Sequence, residues 1–195
     1  MSRLIILDIE LNALKSFLET IKTASGKEYL SIRKQSKAGK FTNFEDENNA
    51  LFFSMAWEGI ASRAVFLELN ALVEWEIQLL SSEAFFKEKF LTYCKKSKIL
   101  SDQKVSDAIK LIEKHYQIKV NKIEHFEAIE NIRKKTNSFK HRKGFKHPFN
   151  DNCKNIPEKN EVNYEEALES INYVGLFLIG LWNRISKNYD NRPIK

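Results

Sequence analysis

The sequence predicts an all-α fold, a bundle of four to five antiparallel helices. Two observations point there. The chain of 195 residues contains only 3 Pro and 6 Gly, too few for the turns of a many-stranded sheet. Apolar residues also recur at three- and four-residue steps along most of its length, which is the period of one helical face. An apolar fraction of 43% over this length suits one sizeable core, so residues 1–195 are expected to form a single helical domain.

The elements follow in order. Leu7, Leu11, Leu14, Leu18 and Ile21 share one face of a first amphipathic helix. Lys22 to Lys40 is basic and polar with Gly26 and Gly39 as breakers, and reads as a loop or frayed helix. The longest helical pattern runs from about Asn43 to Leu80, with Asn43 as N-cap and Glu45, Asp46 and Glu47 in a first turn where the helix dipole favours negative charge. Phe53, Trp57, Ile60, Ala64 and Leu67 form one stripe of it, and Phe52, Met55, Val65 and Leu69 extend the apolar surface, so packing on several sides is expected. Gly59 marks either a close helix crossing or a break. Helical patterning resumes from Ser82 to Lys98 and again after Ser101, where Asp102 and Gln103 suggest a fresh N-terminus. A further helix spans Lys122 to Phe139 through Ile123, Phe126, Ile129 and Ile132. Gly144 to Asn160 reads as the longest loop, and Asn163 caps a last helix, Tyr164 to Lys187.

Composition also sets exclusions. Cys94 and Cys153 stand far apart without metal-ligand spacing, so neither a zinc site nor a disulfide is signalled and a reducing, cytoplasmic setting is expected. Asp8 and Glu10 interrupt the apolar run Leu4 to Leu7 too early for a secretion signal. The run Val174 to Trp182 is about half of the roughly 20 residues needed to span a bilayer, so no membrane association is expected. No Gly-rich phosphate loop, serine-hydrolase elbow or dinucleotide fingerprint occurs, and no cofactor is expected.

The net charge of +6 is unevenly distributed. Between Glu130 and Asp151 there is no acidic residue, while Arg133, Lys134, Lys135, Lys140, Arg142, Lys143 and Lys146 add seven positive charges and leave 25 basic against 26 acidic residues elsewhere. A patch of this kind attracts phosphate backbones, because each neutralised phosphate releases a counterion. It also serves as a solvated, solubilising segment. Within it, Asn137 and His141 are four residues apart and Arg133 four before Asn137, so on a continuing helix the three share a face. That set suits metal-free RNA cleavage by the ribose 2′-hydroxyl: Arg stabilises phosphate charge, Asn orients a hydroxyl or the imidazole, and His transfers protons.

Asn137-Ser-Phe-Lys-His141 resembles the Asn-to-His half of the Arg-Asn-x-x-x-His motif that ends a late helix in the HEPN superfamily, and Arg63 to Glu74 resembles that superfamily's long early helix. The resemblance covers Leu51 to Lys187. It implies a helical protein that engages RNA, either a metal-independent endoribonuclease, commonly dimeric and of toxin or phage-defence systems, or an inactive module that binds RNA or a partner protein. The chain departs from the motif at Thr136, where the family has Arg; the phosphate-stabilising role then passes to Arg133 or Arg142.

Further candidates surround this motif. Lys134, Lys135, Lys140, Lys143, Lys146 and His147 are candidate nucleic-acid contacts, with Phe139, Phe145 and Phe149 available either to stack on bases or to pin the segment to the core. Arg63, Asn70 and Glu74 lie within about 20° of one line on an ideal helix, so they either face the His141 strip or form a solvated edge. His115 and His125 read as surface residues, and Trp57, Trp75 and Trp182 as core or interface residues. No metal site is expected.

Overall fold

The structure, a computed structural model, describes residues 3–88, 104–142, 144 and 160–190. Over these residues the fold is an all-α bundle of five helices with no strand: α1 (Arg3–Lys37), α2 (Phe44–Glu88), α3 (Val105–Tyr116), α4 (Phe126–Arg142) and α5 (Tyr164–Asp190), plus a 3-10 turn at Val120–Lys122. The chain groups into two compact units. The first comprises Met1–Glu68 and Ile132–Asn172, the second Leu69–Asn131 and Tyr173–Lys195, so α2, α4 and α5 each contribute to both.

In the first unit α1 runs on through Lys37, where the sequence suggested a loop or frayed helix. Its buried residues Leu7, Leu18, Ser25 and Ile32 are spaced by eleven, seven and seven, which keeps them within about 40° of one line. That stripe carries the helix through the polar stretch, and Gly26 sits in its interior with open space around it. Gly39 ends the structure: at φ +65 its N–H donates to Ser36 while Lys40 donates to Gln35, the paired bonds of a Schellman turn that favours glycine. The chain then reverses. Arg33 meets Glu47 at 3.7 Å and the Ser25 hydroxyl donates to the Ser54 carbonyl at 2.6 Å, so α1 and this part of α2 lie antiparallel.

Asn43 caps α2 as expected, its Oδ1 accepting from the Asp46 N–H at 2.8 Å. Gly59 marks neither alternative suggested by sequence. The helix is unbroken there, and the nearest atom to a Cβ at that position would be the Arg63 guanidinium at 3.7 Å. The expected packing on several sides is missing from the first half of α2: Ala61, Val65 and Phe66 are buried, but Phe52, Phe53, Met55 and Ile60 are all more than half exposed. Trp57 and Trp75, expected in a core or interface, are exposed as well, which removes the core alternative for both. By length and composition alone the stretch Phe44–Ser82 would suffice to cross a membrane, a test that core helices also pass.

In the same unit, the N-cap expected at Asn163 forms, its Oδ1 accepting from the Glu166 N–H at 2.8 Å. Asn163→Ala should lower stability by about 1 kcal/mol, read as a reduced urea midpoint with unchanged slope. Beside this cap, Lys22 bonds Glu165 at 3.2 Å and lies 3.6 Å from the centre of the Tyr164 ring. A backbone N–H and then Lys22 hold the Glu165 carboxyl below the ordinary carboxylate range. This contribution is full above that range and is lost as pH falls through the depressed value.

In the second unit α4 and α5 lie antiparallel: Phe126 meets Phe177, and Ile123 approaches Gly180 so closely that a Cβ there would lie 3.2 Å from its methyl. The core includes Leu69, Ile77, Ile112, Phe177 and Leu181. Trp182 is half-buried and donates its ring N–H to the buried Glu76 carboxylate at 3.3 Å. His115 is buried, not on the surface as expected, with its ring edge-on to Tyr116 at 4.7 Å. It falls on the inner face of α3 with Ala108 and Ile112. His125, also expected at the surface, is partly covered: it has φ 64 and stacks on Tyr173 at 4.8 Å.

Candidate functional site

Helix α4 continues to Arg142, so Arg133, Asn137 and His141 do fall one turn apart along a single flank. The opposite side of this helix is its anchor. Ile132, Thr136 and Ser138 are fully or almost fully buried, with the Thr136 hydroxyl donating to the Phe66 carbonyl of α2 at 3.3 Å. Exposure rises along the flank, from half-buried Arg133 and Asn137 to an exposed His141. Asn137 and His141 have no partner among the described residues, whereas Arg133 is already engaged by the protein. A guanidinium has five N–H donors in a fixed fork, so internal engagement positions it without using every donor.

The basic residues divide into three groups. Lys134 and Lys140 are exposed and unpaired among the described residues. Lys134 falls seven residues before His141, within about 20° of it and roughly 10 Å along the axis. Lys135 turns the other way: its ammonium lies 2.6 Å from Glu166 and donates to the Glu161 carbonyl at 2.9 Å, so its charge is matched inside the fold. It therefore acts as a tie between α4 and the start of α5. The Arg142 side chain, Lys143, Lys146, His147, Phe145 and Phe149 lie outside the described residues.

Past the end of α4, Gly144 at φ +88 donates its N–H to Ser138 at 2.9 Å and accepts from the Asn160 N–H at 2.6 Å. The Asn160 amide also donates to the Ser138 hydroxyl at 2.8 Å. These bonds cover the buried Ser138 and clasp the two ends of the intervening segment.

The supporting residues separate. Arg63 is exposed, Asn70 is buried with an amide nitrogen that has no hydrogen-bond partner, and Glu74 is half-buried, so the three are not a solvated edge. Arg63 lines a cavity of about 720 Å³ in the first unit with Phe52, Met55, Ile60, Phe139 and Gly144. Phe139 thus pins the end of α4 against Gly144, 3.5 Å from where a Cβ would stand there. Sequence reasoning missed this cavity because it assigned the aromatic half of α2 to buried packing.

No cluster of three His, Cys, Asp or Glu side chains suited to a metal occurs among the described residues. No protein-family model matches the chain, and neither does any curated protein or solved structure.

Proposed function

We propose that this all-α protein is a HEPN-like, cytoplasmic, RNA-engaging protein that cleaves RNA without metal along the outer flank of α4. The observation that carries the reading is an exposed imidazole, His141, without a partner among the described residues, at the end of a helix that also presents Asn137 and Arg133 one and two turns earlier. In this reading His141 either takes the proton from the attacking 2′-hydroxyl or gives one to the leaving 5′-oxygen, Asn137 orients the nucleophile, and Arg133 or Arg142 meets the phosphate charge. Lys134 and Lys140 hold the strand, and a homodimer of a toxin or phage-defence system is the corresponding assembly.

A second reading is favoured by one specific observation. The first half of α2 exposes Phe52, Phe53, Met55 and Ile60 together, as a surface for a partner protein would. Under that reading the chain is an inactive interaction module.

Cleavage of single-stranded RNA by purified protein in EDTA distinguishes them. The first reading expects activity in the wild type and a loss of about 10²- to 10⁴-fold in His141→Ala, the usual contribution of a positioned acid or base. Equal rates for the two proteins would remove His141 from the chemistry. Absence of cleavage, together with RNA binding indifferent to Lys134→Glu and Lys140→Glu, would favour the second.

A further inference from the structure

A separate concentration of positive charge lies in the second unit. Lys110 and Lys114 on α3, Lys119 and Lys122 on the connection to α4, and Arg184 on α5 line one cavity of about 720 Å³. Against these five cations the described lining has a single carboxylate, Glu113, which is already occupied. One of its oxygens accepts from the Val120 N–H at 2.9 Å and the other lies 3.9 Å from Lys119. Lys110 has a partner in Asp107 at 3.2 Å, whereas Lys114, Lys122 and Arg184 have no ion-pair partner among the described residues.

The walls of this cavity are tied together. Gln117 ends α3 in a left-handed conformation, φ 55, and the Asn188 amide of α5 donates to both the Tyr116 and the Gln117 carbonyls at 3.2 Å. The Gln117 amide in turn donates to the Lys114 carbonyl at 2.7 Å. The cations therefore line one open, solvent-facing cavity from three elements held in register. Solvent screens these exposed charges from one another, yet together they set up a local positive potential, which points to an anion as the kind of ligand that belongs there.

We propose that this cavity binds a compact polyanion bearing several linked phosphate groups, either free or as the phosphate chain of a nucleotide. Its volume suits a ligand of that size. Recognition of a single RNA strand is less well matched, since strand binding needs aromatic platforms along a track and none of the described lining residues is aromatic. Lys and Arg supply charge-assisted bonds to the phosphates, while the side-chain carbonyls of Gln117 and Asn188 remain as acceptors for an attached base. The site is independent of the α4 flank and does not rest on the RNA reading.

Calorimetric titration of the full chain with inorganic tripolyphosphate, and separately with ATP, at physiological ionic strength tests this. The expected result is saturable one-to-one binding, weakened about tenfold or more in the combined Lys114→Glu, Lys122→Glu, Arg184→Glu variant and unchanged in Lys134→Glu, Lys140→Glu. Equal affinity for the two probes would assign the site to a free phosphate chain, and tighter ATP binding to a nucleotide. A circular dichroism melt checks the fold. If the charge reversals unfold the protein, the same positions changed to Gln provide the comparison. Non-saturable binding, tripolyphosphate affinity equal in wild type and variant, or an effect of the variant on RNA alone would overturn the proposal.

Discussion

Thr136→Arg, which restores the sequence Arg-Asn-x-x-x-His, is expected to unfold the protein rather than to activate it. Thr136 is fully buried on the anchoring side of α4, so a guanidinium there would be a charge removed from water with no partner provided. The expected cost is at least about 3 kcal/mol, visible as a large drop in urea midpoint and a lower Tm. Thr136→Val serves as the control. It keeps the shape and loses the 3.3 Å bond to the Phe66 carbonyl, so about 1 kcal/mol is expected. A Thr136→Arg protein as stable as the wild type would mean that position 136 opens to solvent, and the separation of flank from anchor would have to be redrawn.

Phe66→Ala should be the most damaging truncation on α2, and Phe52→Ala among the mildest. Phe66 has no exposed surface, and its removal leaves a cavity in the first unit worth about 3–5 kcal/mol. Phe52 is 70% exposed, and its removal should change stability by no more than about 0.5 kcal/mol. Denaturation of the two variants side by side measures the difference. A large cost at Phe52, with a Tm that rises with protein concentration, would show that the exposed aromatics of α2 are covered by another chain in solution.

These contrasts also indicate what the sequence alone made legible. The helical period of α4 and α5 and the caps at Asn43 and Asn163 were readable because each depends on residues within a turn of one another. The second half of α1 was not, because the Ser25 and Ile32 positions that sustain it act through burial, as in the bond from Ser25 to Ser54 in a distant helix. His115 does carry a signal in the sequence: it completes the Ala108 and Ile112 spacing, and a period taken without regard to polarity places it inside. At the candidate site, the alignment of Arg133, Asn137 and His141 followed from spacing once helix was assumed. The diversion of Lys135 to Glu166 did not, since its partner lies 31 residues away. The cationic cavity was invisible for the same reason. Its residues stretch from Lys110 to Arg184, and a charge count along the chain averages them against intervening carboxylates.

The clasp between Gly144 and Asn160 has a practical consequence for protein engineering. The Asn160 N–H donates to the Gly144 carbonyl at 2.6 Å, so these two positions, sixteen residues apart in the chain, lie side by side. A flexible insert between two points already held together costs about 0.6 kcal/mol of closure entropy for each doubling of its length, so an affinity tag or fluorophore added between Gly144 and Asn160 need not pull the bundle apart.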